Sequence, residues 1–267
     1  MKKFCLTFAL KLIIILLIFY GISPHLFAQN KLLDRLSFSV GGGAAIPVGT
    51  FGMKDIHNSA VHYKEGQYDF IIGIDKSKSG FARLGYDYHA QLSYRLTNHL
   101  YVFLRAGQTT NSVEMSGISA FFTQKLEPIE FEEADYTIGS LTPGFGYKLS
   151  LKQWDLSIGL FGGRARTNFP VYKGTFTPNL GGFPPSTWAY EGETPDLNSF
   201  STGGTLSVNR HIKRISAGIE IAYQHASFKY DIRFRRIPGY DATPIVHDKL
   251  VVSLLNVGLK VAYNLEK

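Results

Sequence analysis

His225 and Ser227 stand two residues apart at the end of a period-two segment, a base beside a hydroxyl. Residues i and i+2 of a strand share a face, which is the placement acyl-transfer chemistry needs for a Ser nucleophile. That chemistry also needs a third group to orient the base, for which Asp231 and Asp241 are loose candidates. His57 and His62 are five apart, off the spacing that stacks two ligands on one helix turn, and no carboxylate motif accompanies them. The acidic run from 114 to 135 lacks the Asp/Asn-Gly spacing of a calcium loop. Gly41 to Gly43 lacks the Gly-Lys-Ser/Thr ending of a phosphate loop, and glycine there fits strand bending and tight interior packing. The sequence therefore assigns no catalytic, cofactor-binding or metal residue, and no cofactor is expected.

The elements that would position these side chains begin after residue 28. Lys2 and Lys3 precede an apolar run from Leu6 to Tyr20, followed by Gly21, Pro24 and Ala28, the pattern of a cleaved signal peptide over 1–28. The run is short for a spanning helix of ~20 residues. Cys5, the only cysteine, leaves with it, so the mature chain is expected to carry no disulfide, thiol chemistry or cysteine-based metal site. Removing Lys2, Lys3 and Lys11 and no acid lowers the formal charge from +7 to +4. So mild a charge, with no concentrated basic face, gives no case for nucleic acid. The remaining 29–267 reads as one domain, with no helical period and no Pro/Ser-rich linker.

Alternation marks eight strands. In the second, Tyr86, Tyr88, Ala90, Leu92, Tyr94 and Leu96 share one face and Asp87, His89, Gln91, Ser93 and Arg95 the other. The first covers Leu36 to Val48 and the third starts at Leu100. The fourth runs about 136–150 and the fifth from Trp154 to Leu160. The sixth, about 200–209, is Gly/Ser/Thr-rich, with a turn through Arg210 to Arg214. The seventh follows from Ile215, and the last spans Asn256 to Leu265. In the seventh the apolar residues are odd-numbered up to Tyr223, then even at Phe228, Tyr230, Ile232 and Phe234, which predicts a bulge near Ala226 and Ser227 and makes His225 a rim residue on the lipid side.

The connections alternate between short turns and long loops. That rhythm, with an even strand number, is the pattern of an outer-membrane barrel with periplasmic turns and termini and four long external loops. The expected fold is all-β, an eight-stranded antiparallel up-and-down transmembrane β-barrel. Tyr94, Tyr147, Trp154 and Tyr263 lie on the apolar face near the turn end, as an interfacial girdle would. A soluble lipocalin-like barrel would place its apolar face inside instead. The polar faces carry both signs, Arg95, Arg105, Lys148 and Lys260 against Asp87, Asp155 and Glu220, suited to a shared interior.

The segment Phe38-Ser-Val-Gly-Gly-Gly-Ala-Ala-Ile-Pro-Val-Gly-Thr-Phe51, the signal end Leu26-Phe-Ala-Gln29 and the turn Tyr94-Arg-Leu-Thr-Asn-His-Leu-Tyr101 resemble the small outer-membrane β-barrel (porin-like) family of Bacteroidetes-type bacteria. The resemblance implies location and fold and handling by the outer-membrane assembly machinery; the peptidoglycan-binding domain that larger family members append is not expected here, with two residues following Leu265. The aromatic terminal residue that many such proteins present to that machinery is replaced by Glu266 and Lys267 after Leu265. Separately, Tyr223-Gln-His-Ala-Ser227 is similar to the His-x-Ser of outer-membrane lipid A deacylases, eight-stranded barrels whose Ser is activated by the neighbouring His. That motif continues with Asn where this chain has Phe228, and the Glu it requires is missing at its distance.

Function is then sought in the interior and the loops. Side chains fill an eight-stranded barrel, which disfavours an open pore, and Arg105, Glu220 and Lys260 are expected to pair because unpaired buried charge is costly. Loop residues 114–135 hold Glu114, Glu127, Glu130, Glu132, Glu133 and Asp135 against Lys125, net −5, while Arg233, Arg235 and Arg236 lie in the last loop. Solvated loops joined by an ion pair are the plain expectation; carboxylates binding divalent cations and arginines on lipopolysaccharide phosphates are the sharper one. The sequence thus points to a monomeric, non-enzymatic outer-membrane barrel contacting outer-membrane lipid and lipopolysaccharide through its loops. The alternatives are a narrow channel, a lipid A deacylase-like hydrolase and a soluble periplasmic ligand-binding barrel.

Overall fold

The computed structural model describes residues 35–65, 68–125, 129–168, 172–176, 186–190, 196–232 and 246–265. The signal segment, the arginines at 233, 235 and 236, Glu127, Asp241 and the last two residues lie outside them. In chain order come β1 (Leu36–Pro47), helix α1 (Ile56–Ser59), β2 (Ala60–Glu65), β3 (Tyr68–Ile74), β4 (Gly85–Arg95) and β5 (Leu100–Ser112). Helix α2 (Met115–Lys125), β6 (Ile129–Phe131), β7 (Asp135–Leu151), β8 (Trp154–Asn168), β9 (Tyr172–Phe176) and β10 (Ser186–Tyr190) follow. The chain then runs through β11 (Asp196–Ile212), β12 (Ile215–Ile232) and β13 (Val246–Asn264).

Eight of these strands close a ring in the order β1-β13-β12-β11-β8-β7-β5-β4, each pair antiparallel, with β1 bonded to both β4 and β13. Closure removes the free edges that an open sheet would expose. Followed from Ser207 of β11 through Glu220, Gly258, Gly43, Asp87, Thr109, Ile138 and Thr167, the hydrogen-bonded row returns to β11 at Leu197, ten residues higher. Such a stagger tilts the strands by roughly 40°. The turns at one end are tight. Ile212 faces Ile215 and Leu151 faces Trp154, so each hairpin has two turn residues, with Lys213 (φ 60°) and Lys152 (φ 54°) in the left-handed region such turns favour.

All eight strands expected from alternation are present. Several are longer than expected: β11 begins at Asp196 and keeps pairing to Ile212, so the turn is Lys213-Arg214 alone. The long connections contain structure of their own. β2 and β3 form a hairpin, and β10-β9-β6 form a three-stranded sheet that joins the second and third loops.

The predicted bulge in β12 is absent. β12 pairs with β13 without a break from Ile215↔Tyr263 to Ile232↔Val246. Ser216, Glu220, Ala222, Gln224, Ala226, Phe228 and Tyr230 are all buried, so the even positions face inward throughout. What changes is chemistry and not phase. Ile215, Ile219, Ile221 and Tyr223 project outward, exposed and apolar, over polar inward neighbours; above Gln224 the inward residues become apolar and Ser227 and Lys229 take the exposed outer face. β13 repeats the inversion, with Leu250, Val252 and Leu254 fully buried and Leu259 and Val261 exposed below them. The barrel is inside-out over its turn-end half and arranged like a water-soluble protein over its loop-end half. Alternation in sequence reverses when the solvent outside changes, which mimics a bulge.

Candidate functional site

The interior has three storeys. At the loop end, inward residues of the strands meet side chains delivered by the loops in one apolar core containing Phe51, Phe81, Ile118, Tyr136, Phe228 and Leu250. Backbone and polar contacts fasten the loops to it. Tyr136 donates its hydroxyl hydrogen to the Gly80 carbonyl (2.7 Å), and Asn111 Nδ2 donates to the Ala45 (3.0 Å) and Arg83 (2.8 Å) carbonyls. Phe81, 1% exposed, holds a φ of 55°, unusual for a bulky residue; its N–H donates to Met53 O and its carbonyl accepts from Glu114 N.

The middle storey is ionic. Glu220 of β12 accepts from Arg105 Nη1 of β5 (2.5 Å) and Lys260 Nζ of β13 (2.7 Å), while His89 of β4 sits with Nε2 3.2 Å from the same carboxylate and Nδ1 3.2 Å from Asp87. Arg105 Nη2 is 3.1 Å from His89 Nδ1. Two carboxylates, a guanidinium and an ammonium make the layer neutral when His89 is uncharged. This is the pairing expected for Arg105, Glu220 and Lys260; His89, read only as a polar-face residue, proves to be its hub. The void beside the layer, lined by Asp87, His89, Arg105, Glu220 and Asn256, measures about 10 Å³, at the lower limit for a single water. Just inside the ring, aromatic side chains use glycines as recesses: a Cβ at Gly144 would lie 2.4 Å from Phe103 Cζ, and one at Gly203 2.5 Å from Phe161 Cζ.

Below the ionic layer the barrel is hollow. A cup of about 520 Å³ runs to the turn end, lined by Ser39, Gln91, Tyr101, Ser157 and Asn209 along its wall and by charged residues nearer the mouth. Asp155 there is shared by Lys148 Nζ (3.2 Å) and His211 Nε2. Outside, Tyr147, Trp154 and Tyr263 stand exposed around the same end, where the expected girdle lies. His99 stacks on Tyr147 (centroids 5.5 Å apart), and the Arg210 guanidinium lies 5.9 Å over the Trp154 ring.

The structure separates the other sequence candidates. His225 and Ser227 do face outward together, but the His225 imidazole is hydrogen-bonded to Ser253 Oγ of β13 (3.0 Å), and Ser227 uses its carbonyl to accept from Ser199 (2.5 Å). Asp231 is bound to His247 (2.6 Å). His225, Ser227 and Asp231 therefore do not converge as base, nucleophile and orienting acid. His57 packs edge-on against Phe121 (5.2 Å), His62 lies on β2, and no three His, Asp or Glu side chains are placed to hold a metal ion among the described residues. Glu114 makes loop-to-loop ion pairs, but with Arg83 (3.3 Å) and Lys54 (3.5 Å) of the first loop; the last-loop arginines set against the acidic run lie outside the described residues. The Ser116 hydroxyl at its carboxylate, aided by both cations and opposed by partial burial, holds its pKa below the usual carboxylate range. The apolar cap is not legible from any one segment because its parts are far apart in sequence; the parity switches at 224–228 of β12 and 254–257 of β13 are its signals.

No protein-family model and no curated protein matches the chain. Among solved structures it is similar to Ail, the attachment invasion locus protein of Yersinia pestis (14% identity, covering 86% of this chain and 99% of that one, TM-score 0.38). It is also similar to a major outer membrane protein from Thermus thermophilus (12%, 85% and 98%, TM-score 0.40) and to outer membrane protein AlkL (12%, 88% and 92%, TM-score 0.37). At these values no residue role or ligand is carried from those proteins to this chain.

Proposed function

We propose that the chain is a non-enzymatic outer-membrane barrel, closed to diffusion, that presents a rigid loop-bearing cap on the cell surface. The observation that carries this reading is the inversion along β12 and β13. From Ile215 to Tyr223 the outward row is apolar; eight steps of ~3.4 Å tilted by about 40° span roughly 20 Å, close to the ~25 Å apolar band of such barrels. An exterior carrying Leu92, Leu104, Phe145, Ile158, Leu160 and Leu259 in the open is incompatible with water and argues against a soluble lipocalin-like barrel. Beyond the band the wall becomes polar and the interior apolar, as expected where the strands leave lipid.

In this reading the turns and both termini face the periplasm and the loops face outward. The external partner is lipopolysaccharide. Arg164, on the outer face of β8 opposite Phe200, and Arg166, two residues higher, stand at the upper limit of the apolar band, where guanidinium meets phosphate bidentately. Arg164 is held by Asn198 (2.8 Å) and Arg166 by Asp196 (2.6 Å), which fixes them outward. A narrow channel is the second reading; the paired ionic layer and the apolar cap above it both argue against conduction.

Fractionation tests the location: the chain should enter the outer-membrane fraction and migrate faster unboiled than boiled, and recovery in the soluble periplasm would refute it. In planar bilayers the purified protein should give no unitary conductance steps, and reproducible steps abolished by substitution at Glu220 would replace this reading with the channel.

A further inference from the structure

We propose that the turn-end cup is a binding site for a small, multiply charged anion bearing phosphate or carboxylate groups. The cup is built on one end only: the ionic layer forms its floor and the hairpin turns its rim. Its volume of about 520 Å³ lies in the range of small-molecule sites. Six cations line it, Arg35, Arg95, Lys148, Lys213, Arg214 and Lys260, with a single carboxylate, Asp155, among the described lining residues. Lys260 is engaged by Glu220 at the floor, and Lys148 and His211 share Asp155. Arg35, Lys213 and Arg214 stand at the mouth, and Arg95 lies on the wall beside them. Arg35 donates only to a neutral acceptor in the contact seen, the Leu96 carbonyl at 3.5 Å.

Parity places Arg95 and Lys148 inside and not toward lipid, and Arg35, Lys213 and Arg214 line the rim at the strand ends. Arg95 continues the inward row of Asp87, His89 and Gln91, and Lys148 lies on the inward row of Thr142 on β7. A low-dielectric wall around one sign of charge focuses the field on the cavity and raises the local concentration of counter-ions. Several cations around one small mouth favour an anion with several oxygens over a monovalent one, because one such ligand can meet more than one guanidinium. Hydroxyl and amide groups of Ser39, Ser157, Gln91 and Asn209 supply neutral hydrogen-bonding partners deeper in the cup. The same charges line the cup whichever side of a membrane the turn end faces.

The test is calorimetric titration of the folded chain in zwitterionic micelles with inorganic pyrophosphate in one arm and citrate in the other, at constant ionic strength, with chloride as the control. Saturable 1:1 binding of one or both, absent with chloride, is expected. Arg35→Gln combined with Arg214→Gln should weaken it about tenfold, as should, to a lesser extent, Lys213→Asn, which removes a charge where asparagine tolerates the φ of 60°. Lys229→Gln, on the outer wall of the cap, should leave affinity within about twofold of the parent. Heat-modifiable mobility confirms that each variant is folded. Non-saturable heats, or a loss with Lys229→Gln equal to that with the mouth variants, would overturn the proposal in favour of diffuse ionic attraction.

Discussion

Glu220→Gln isolates the ionic layer with the loss of one charge and almost no change of shape. Glu220 is 4% exposed and accepts from Arg105 at 2.5 Å and from Lys260 at 2.7 Å. With the amide in its place, two buried cations face one remaining carboxylate, Asp87, which lies against His89 and not against either of them. Removing one partner of a buried pair costs about 3–5 kcal/mol, a large part of the roughly 5–15 kcal/mol typical of a folded domain. In urea, with a slope of about 2 kcal/mol/M, the unfolding midpoint in phosphocholine vesicles should fall by roughly 2 M, read from the fluorescence of Trp154 at the turn end. The double variant Glu220→Gln with Lys260→Met restores charge neutrality, Arg105 against Asp87, and should recover at least half of the loss. A single variant that loses less than about 1 kcal/mol, or a double variant whose loss equals the sum of the two singles, would refute the layer as a coupled charge network.

Phe228→Ala should cost about 3–5 kcal/mol of cap packing, because Phe228 is fully buried among loop and strand residues; limited proteolysis should then cut the loops while the barrel band persists, and unchanged loop protection would count against a shared core. Acidification should uncouple the first two loops before the barrel unfolds. The Glu114 carboxyl is held below its usual range, so the stability it contributes is present above the ordinary carboxylate pKa and is lost as pH falls through the lowered value. As pH falls below the ordinary carboxylate range, hydrogen exchange at Ala82 and Arg83 should accelerate, and Glu114→Gln should show the fast rate already near pH 7; no difference between the two proteins would refute it.

Much of the barrel is legible in the sequence because each strand carries its environment in its own alternation. Trp154, Leu156, Ile158 and Leu160 against Asp155, Ser157 and Gly159 needs no other strand to be understood. The pairing of Arg105 and Lys260 with Glu220 follows from cost alone, since opposite charges on inward faces must meet. The central place of His89 does not, because it depends on a stagger of ten residues around the ring that no single strand encodes. The cap is illegible for the same reason: Phe51, Ile118 and Phe228 come from three separated segments. The parity switch on β12 was visible, yet two causes give the same pattern, an inserted residue or a change of surrounding medium. Only the unbroken register with β13 distinguishes them. For the His225 and Ser227 pair the shared outward face was legible, whereas the partner of His225, Ser253, lies on another strand.

The change of medium along β12 is the claim on which the rest depends, and site-directed spin labelling reads it directly. In vesicles, labels placed one at a time from 217 to 231, in a chain whose only native cysteine, Cys5, is replaced, should report strict period two without interruption. Positions 217, 219, 221 and 223 should be accessible to oxygen and not to a water-soluble nickel complex; 227, 229 and 231 should show the reverse; and 228 and 230 should be shielded from both. A phase slip between 225 and 228, with 228 and 230 open to either reagent, would contradict the account and restore the bulge.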